Sequence, residues 1–374
     1  MDRGCYNRSE AGDMTKRERY LKALRNEKVR KLVWAPNFDY WLNVSTAEGT
    51  VPERYEGMSR NDIVRAVGGY IWNRAAGLST ILDPSIKGTW KTEGTDKIRE
   101  YETPLGSIRE VYRLTEGAHR TKFLAEHFVK DLDSLEIRKY VAEGTYHEPN
   151  YAPTEQALIE TGDDGIVLNP AFCMPFIQFA KTDAGYVKGY YLWNDHREQV
   201  DGLISVYFEK FLEGYRILAE GPADVIASGD NMDGTTVPPA IFREYAIPFY
   251  QEAHKIISAA GKLFEGHWCG RTKSLLPLTP GCGMDVVEAI VTRPMDDLGL
   301  DEALDMLRGE VVLQGGIPSV LVCEEGCSRE EFERYIEETI LPLKGRRGFI
   351  LGMADNVPPN ADFSRIEAVA DLIG

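Results

Sequence analysis

The stretch VDGLISVYFEKFLEGYRILAEGPADVIASGD, residues 200–230, decides the fold of this chain. Its first part places apolar side chains on one face of a 3.6-residue period, which predicts a long amphipathic helix. That face consists of Val200, Leu203, Ile204, Tyr207, Phe208, Phe211, Leu212 and Tyr215. The apolar run at 223–228 follows at once and is typical of a buried strand. A helix that leads directly into a buried strand is one unit of an alternating α/β fold.

The same unit recurs on both sides of this stretch. Short apolar runs, separated mostly by helical patterns, occur at 32–36, 165–168, 223–228, 262–267, 284–289, 311–315 and 348–351. These runs predict seven strands, and residues 77–83 are the candidate for an eighth. Strands that alternate with helices pair in parallel through crossover connections. Because no GxGxxG motif follows the first strand, the pattern favours a (β/α)8 TIM barrel over a Rossmann sheet.

The remaining segments complete the expected domain organisation. Residues 1–13 are predicted to be a flexible N-terminal tail, and residues 14–374 a single barrel domain that begins with an N-terminal extension. Thr15 and Glu18 have the spacing of a capping box, which predicts the start of a helix. Residues 86–113 alternate polar and apolar side chains around glycine-containing turns, so we expect an antiparallel β-ribbon inserted into the barrel.

The composition of the chain disfavours several classes of partner. The 374 residues include 43 basic and 59 acidic ones, giving a net charge of −16, which disfavours nucleic acid and anionic membranes as partners. No run approaches the roughly 18 apolar residues of a membrane span, and the first residues lack the apolar core of a signal peptide. The six cysteines are scattered along the chain, which favours reduced thiols and a cytoplasmic location.

Polar side chains follow several of the predicted strands. In a barrel of this type, catalytic and binding residues lie at the carboxyl ends of the strands. On that basis we predict that His267, Glu288 and Asp230 are catalytic. The predicted substrate-binding residues are Asn37, Asp39, Tyr40, Trp41, Asn169 and Gln314.

The segment EGHWCG, residues 265–270, predicts a metal site. In an extended backbone, residues two apart point the same way, so His267 and Cys269 would face the barrel mouth together. An imidazole and a thiolate suit tetrahedral zinc, which needs at least one more protein ligand. Glu244 and Asp230 are the candidates for that ligand. On spacing alone, the alternative of a core histidine beside a buried thiol stays open.

Four segments resemble the uroporphyrinogen decarboxylase superfamily. They are MTKRERYLKAL at 14–24, TPLG at 103–106, GHWCG at 266–270 and GMADNVPP at 352–359. Their order and spacing span nearly the whole chain. The resemblance implies a distorted TIM barrel with one of two chemistries. These are decarboxylation of porphyrinogens without a metal, and zinc-dependent methyl transfer to or from a corrinoid protein.

The first strand separates the two branches. The resemblance implies arginines after this strand in the decarboxylases, whereas residues 35–41 read APNFDYW, with an aspartate and aromatic residues but no arginine. We therefore favour the methyltransferase branch. In the similar coenzyme M methyltransferases, zinc is held by His-x-Cys, which His267 and Cys269 match, and by a cysteine whose place falls near Met353. Its absence implies that a carboxylate replaces the thiolate, as expected for zinc acting on an oxygen substrate.

The sequence thus predicts a zinc-dependent, O-demethylating methyltransferase. It would move a methyl group from a small methylated donor, with a phenyl methyl ether favoured, to the cob(I)amide of a separate corrinoid protein, since no cobalamin domain is recognisable. The aromatic residues at 38–41 would hold the donor ring. The alternatives are a methylcobamide:coenzyme M-type methyltransferase, a metal-free decarboxylase-like lyase, and a non-catalytic barrel that binds the corrinoid protein or a small ligand. The sequence also leaves a homodimer open.

Overall fold

The computed structural model describes residues 14–115 and 121–374, so the predicted tail at 1–13 lies outside the described residues. Eight strands pair in parallel in the order β1-β8-β7-β6-β5-β4-β3-β2. They are β1 (Trp34–Ala35), β2 (Ile71–Arg74), β3 (Gly165–Ala171), β4 (Val225–Ser228), β5 (Leu263–His267), β6 (Val286–Ile290), β7 (Val312–Pro318) and β8 (Phe349–Ala354). The amide of Tyr70 donates to the carbonyl of Trp34 at 2.7 Å, so the two edges of the sheet also meet. The predicted TIM barrel is confirmed.

Helices connect the strands and pack mostly on the outside of the barrel. The longer α-helices span Lys16–Leu24, Asp39–Glu48, Arg60–Ala66, Leu132–Glu143, Ala152–Thr161, Tyr186–Asp195, Arg197–Glu220, Ile247–Ala259, Leu300–Met306, Arg329–Tyr335 and Phe363–Ile373. The helix Arg197–Glu220 buries the predicted apolar face, apart from a partly buried Phe208. Within residues 14–115 and 121–374, no helix combines the length and the apolar character that a membrane crossing requires.

The barrel interior is filled by inward-facing side chains near the amino ends of the strands. That cluster includes Val33, Ala35, Trp72, Ile166, Leu168, Val225, Val286, Val312 and Ile350. Tyr20 and Leu24 of the first helix belong to the same cluster. Arg17 of this helix donates to the carbonyl of Gly165, where β3 begins, and pairs with Asp224, just before β4. The N-terminal extension therefore closes the amino end of the barrel, leaving the carboxyl ends open for function.

The first helix, Lys16–Leu24, also begins as the sequence predicts. Thr15 accepts a hydrogen bond from the amide of Glu18, and the Glu18 carboxylate accepts one from the amide of Thr15. The capping box predicted from the sequence is thus present and satisfies two amides that the first helical turn leaves without partners.

The β-ribbon insertion is confirmed and is longer than predicted. Its four antiparallel strands are Lys87–Glu93, Asp96–Thr103, Gly106–Leu114 and Lys122–Glu126.

The prediction for the eighth barrel strand is wrong. Leu78–Leu82 pairs antiparallel with Thr145–Pro149 in a separate two-stranded sheet, and the barrel strand is instead Ile71–Arg74. This strand has only two apolar residues before Asn73 and Arg74, so its apolar run is too short to stand out from the sequence.

Candidate metal centre

The end of strand β5 and the residues that follow it direct two donor side chains into the barrel mouth. The amide of Trp268 donates to the carbonyl of Glu288 at 2.9 Å, and the indole is fully buried in the outer layer against Phe242. Since Trp268 points outward, His267 and Cys269 on either side of it face inward, as the alternation predicts.

A close approach of two loops fixes the backbone after Cys269. The amide of Gly270 donates to the carbonyl of Met232 at 3.0 Å. A Cβ atom at Gly270 would lie 2.4 Å from the Cβ of Asp233, so only glycine allows this contact. The loops after β4 and β5 thereby hold each other in place beside the mouth.

Three potential metal ligands converge at this point. The donor atoms of His267, Cys269 and Asp355 lie within 4.8 Å of one another, and we call this group the trio. His267 Nε2 is 3.6 Å from Asp355 Oδ1. Zinc bonds of about 2.0–2.2 Å to nitrogen and oxygen place tetrahedral donors roughly 3.4 Å apart, close to the observed spacing. The trio therefore fits zinc, with a fourth position left for water or substrate, as in catalytic zinc sites.

Glu288 binds the other nitrogen of His267. Its Oε2 lies 2.5 Å from His267 Nδ1, and the two residues are paired in register on β5 and β6. The Nδ1 proton lies between the two side chains, so Nε2 faces the trio and must give up its own proton when a metal binds. Burial opposes charging of the imidazole, but Glu288 and Cys269 outweigh it and raise the pKa of His267 to about 11. A carboxylate behind a histidine is the usual support of a metal ligand.

Left-handed backbone occurs at two residues beside these contacts. Ala289, which follows Glu288, has a φ of 68°, and the pairing of β6 with β7 shifts register there. Asp355, which follows β8, has a φ of 90°. Such conformations cost non-glycine residues about 1–3 kcal/mol each and concentrate at functional sites.

A buried polar layer lies next to the trio inside the barrel. Glu265 precedes His267 by two residues, so it also faces inward, and it is 2% exposed. Burial, aided by the charge of Glu288, raises the pKa of Glu265 to about 8, so this carboxyl is largely protonated at neutral pH. Gln314, paired in register with Glu288, accepts a hydrogen bond from the hydroxyl of Tyr20 at 2.8 Å.

The structure does not bring either predicted third ligand to the trio. Asp230 is fully buried, and its oxygens accept hydrogen bonds from the amide of Met174 at 2.7 Å and the hydroxyl of Ser228 at 2.8 Å. Glu244 lies in a groove against the helix Arg197–Glu220, where it pairs with Arg197 and half of its side chain is exposed. The two carboxylates are thus held by other groups.

Asp355 takes the position that sequence analysis assigned to Glu244 or Asp230. The sequence contained a signal for it, because Asp355 follows the last strand, two residues after Met353, where the family resemblance places the missing ligand. Asn37, predicted to bind substrate, supports this residue instead. The side-chain amide of Asn37 donates to the backbone carbonyl of Asp355 at 3.1 Å. The backbone carbonyl of Asn37 accepts a hydrogen bond from the amide of Val357 at 2.9 Å.

Two of the residues predicted to bind substrate, Trp41 and Asn169, point away from the barrel mouth. Trp41 is buried in the outer layer, where its ring stacks on Phe363 with centroids 3.9 Å apart. Asn169 also faces outward, because its side-chain amide donates to the carbonyl of Ala75 and the hydroxyl of Thr154, both at 2.7 Å. These positions correct the prediction that placed both side chains in the substrate pocket.

The mouth holds two arginines that the first strand does not supply. Arg60 comes from the helix Arg60–Ala66 and pairs with Asp39, and Arg74 ends β2 at 3.9 Å from the same carboxylate. Tyr40, next to Asp39, stays half-buried, with its hydroxyl 3.3 Å from that of Thr121. The mouth is therefore less acidic than residues 35–41 imply.

The protein is an α/β barrel whose potential metal ligands lie at the carboxyl ends of its strands. Within that class, residues 180–374, just over half of the chain, match the family model described as uroporphyrinogen decarboxylase (URO-D). The chain belongs to the uroporphyrinogen decarboxylase family.

Comparison with solved structures agrees with this fold. The chain is similar to a structure titled methyltransferase from Methanosarcina mazei, with a TM-score of 0.60, 14% identity, and coverage of 96% of this chain and 98% of that chain. A D-psicose 3-epimerase from Clostridium cellulolyticum H10, solved with D-tagatose, has a TM-score of 0.35, 10% identity, and coverage of 60% and 82%. A search of curated protein sequences finds no match. The first likeness shows a shared fold along nearly the whole chain.

Proposed function

We propose that this protein is a zinc-dependent methyltransferase. It would transfer a methyl group from a small methylated donor, with a phenyl methyl ether favoured, to the cob(I)amide of a separate corrinoid protein. The observation that carries this proposal is the convergence of His267, Cys269 and Asp355 at the carboxyl ends of the strands. The likeness to a Methanosarcina mazei methyltransferase and the family membership support the same direction.

The donor set suits an oxygen substrate. The trio offers one nitrogen, one sulfur and one oxygen, which makes a harder site than one rich in thiolates. When bound, zinc would supply Lewis acidity at the ether oxygen, whose departure as an aryl oxide is otherwise slow. Glu288 would act as a positioning residue rather than a catalytic one, because its contact is with His267 Nδ1. Asp230 and Glu244 have no part in this arrangement.

The chain's own groups would hold the donor at the mouth. Of the aromatic residues at 38–41, Phe38 and Trp41 are buried, so Tyr40 is left to contact a ring. Arg60 and Arg74 pair with Asp39, so this group would hydrogen-bond a polar, uncharged ring substituent. Docking of the corrinoid protein over the strand ends would exclude water while the methyl group moves.

Metal analysis combined with a methyl-transfer assay tests the proposal. We expect one zinc per wild-type chain and transfer from methoxylated aromatic donors to cob(I)alamin. Asp355→Asn should lower both zinc affinity and transfer at least about tenfold, because it weakens a metal ligand. Glu244→Gln makes the same type of change at an exposed carboxylate and should leave both unchanged. A wild-type protein without zinc, or an Asp355→Asn variant that equals the wild type in both measurements, would contradict the proposal.

One observation favours a second candidate, a metal-free decarboxylase-like lyase. Arg60 and Arg74 are the cationic partners that a carboxylated substrate would require. Asp39 already pairs with both of them, which is why this function ranks second. Carbon dioxide release from a carboxylated substrate by zinc-free protein, with no methyl transfer by the zinc-loaded form, would reverse the ranking.

A further inference from the structure

A second cavity lies under the inserted ribbon. It has a volume of about 230 Å³, larger than the roughly 150 Å³ engineered cavity that binds benzene. Its walls include residues of the ribbon strand Asp96–Thr103, the strand Thr145–Pro149, and the helices Leu132–Glu143 and Arg197–Glu220. We call it the ribbon cavity. Its lining includes no member of the trio and, among the residues that the structure describes, no aspartate or glutamate.

Three cationic side chains line the ribbon cavity: Arg99, Arg138 and Lys210. Each of them has a carboxylate within 4 Å, namely Glu110, Asp183 and Glu213, but none of these carboxylates lines the cavity. A concave surface lined by one sign of charge attracts ligands of the opposite sign. The charge of the lining therefore favours an anion.

Arg99 is held in place by aromatic rings. Its guanidinium carbon lies 5.3 Å from the ring centre of Trp90 and 4.8 Å from that of Tyr101. Its nearest carboxylate, Glu110, is 3.8 Å away, which is too long for a hydrogen bond. The rings thus orient the Arg99 guanidinium while its donors stay available.

Arg138 and Lys210 also lie beside aromatic rings, and Arg138 uses one of its donors on a carboxylate. The guanidinium of Arg138 lies 5.4 Å from the ring centre of Tyr207, and its Nε donates to Asp183 at 3.0 Å. Its terminal nitrogens donate no hydrogen bond to any residue within 14–115 and 121–374. The ammonium of Lys210 lies 4.3 Å from the ring centre of Tyr146 and 3.8 Å from the carboxylate of Glu213, which is too long for a hydrogen bond. Donors that are oriented yet unused are what an anion site requires.

The carboxyl group of Glu110, which lies behind Arg99, compensates the positive charge of this arginine only in part. Glu110 is 1% exposed and does not line the cavity. Burial raises the pKa of Glu110 to about 7, so it is incompletely ionised near neutral pH. Asp183 and Glu213 offset Arg138 and Lys210, so the excess positive charge at the cavity in that range comes from Arg99.

Flat aromatic walls adjoin these cations. Phe172 and Phe211 stack with centroids 4.6 Å apart and an interplanar angle of 8°, and Tyr207 stacks on Phe211 at 5.1 Å. All three rings line the cavity. A planar apolar ligand with one anionic group would match both parts of the lining.

We propose that the ribbon cavity binds a small aromatic carboxylate, with its carboxylate at Arg99 and Lys210 and its ring against Phe172 and Phe211. This inference does not rest on the proposed methyl transfer, because the lining of the cavity includes no member of the trio. It adds a binding site in the insertion, separate from the trio.

Calorimetric titration of the full-length protein with benzoate tests the proposal. We expect saturable binding that weakens about tenfold or more in Arg99→Gln and in Lys210→Gln, the loss typical of a charge-assisted contact. Lys91→Gln removes an exposed cation from the same ribbon and should leave benzoate affinity unchanged. Benzamide, which lacks the charge, and acetate, which lacks the ring, should each bind at least about tenfold more weakly than benzoate.

Several results would overturn the proposal. Absence of benzoate binding is one, and unchanged affinity in both Arg99→Gln and Lys210→Gln is another. Acetate binding as tight as that of benzoate would remove the role of the aromatic walls. His267→Ala should retain benzoate binding, and its loss there would place the anion at the barrel mouth instead. Thermal unfolding of each variant verifies that the compared proteins are folded.

Discussion

The barrel mouth and the ribbon cavity use the same kinds of side chain in opposite arrangements. At the mouth, His267 is surrounded by carboxylates, with Glu288 at Nδ1 and Asp355 near Nε2. In the ribbon cavity, cations beside aromatic rings line the cavity, and the carboxylate of Glu110 is set behind Arg99. The first arrangement is the one proposed to bind a metal cation, and the second is the one proposed to bind an anion. Net charge therefore does not predict what either site binds, because local placement and burial decide it.

The two regions also differ in how they are built. His267, Glu288 and Gln314 are neighbours in register on β5, β6 and β7, so the pairing of the barrel strands aligns them. The ribbon cavity draws its walls from an inserted sheet, a second small sheet and two helices. We expect substitutions at the mouth to act on ligand binding with little change in fold, since rigid strands hold the site.

Replacement of His267 should have the largest effect. In His267→Ala, zinc affinity should fall by more than about 100-fold, beyond the range typical of residues that only support a ligand. Competition with a chelator measures this affinity. His254→Ala is the matched control, because His254 lies in an outer helix with its Nε2 3.3 Å from Asp285. A His267→Ala variant that keeps a full equivalent of zinc would remove the metal from the mouth and end the contrast between the two regions.

Glu288→Gln should have an intermediate effect. Glutamine keeps the shape of Glu288 but loses the charge that orients and polarises His267, so zinc affinity should fall about 10–100-fold. The same chelator competition measures the change, and the thermal unfolding temperature separates it from loss of fold. Glu244→Gln serves as the control. Unchanged zinc affinity in Glu288→Gln would show that the carboxylate plays no supporting role.

Glu110→Gln tests the other region through stability rather than through ligand binding. Burial raises the pKa of Glu110 to about 7, above its unfolded value near 4.5. The resulting stability is fully present below about pH 4.5 and is lost as pH rises through about 7. The wild type should therefore lose about 2 kcal/mol more than Glu110→Gln between pH 5 and pH 8.

Chemical denaturation at the two pH values measures this difference. Glu102→Gln, at an exposed ribbon position, should follow the wild type. Parallel loss of stability in the wild type and Glu110→Gln would mean that the Glu110 carboxyl is not desolvated, and the ribbon cavity would then be more nearly neutral.

Much of the fold could be predicted from the sequence because it rests on local patterns. Seven barrel strands and the helix Arg197–Glu220 follow from apolar runs and helical periodicity. The eighth strand, Ile71–Arg74, could not be found in this way. Its inward-facing Arg74 belongs to the polar mouth, so the strand lacks the apolar signal that identified the others.

The site was only partly predictable, for a physical reason. Alternation along a strand determines that His267 and Cys269 share a face. It does not determine which carboxylate meets them, because that depends on contacts between distant segments. Asp230 follows a strand much as Asp355 does, but Met174, 56 residues away in sequence, uses one of its oxygens. The position of Glu244 in the chain makes it a candidate, but the fold places it on the outside, paired with Arg197.

Zinc K-edge X-ray absorption of the purified protein tests the central claim most directly, since it reports the atoms bound to the metal. We predict one sulfur at about 2.3 Å, with the remaining ligands being nitrogen or oxygen at about 2.0–2.2 Å. In Cys269→Ser, the sulfur contribution should disappear while the nitrogen and oxygen shell remains. A wild-type spectrum without sulfur, or one with several sulfur ligands, would contradict a metal held by His267, Cys269 and Asp355.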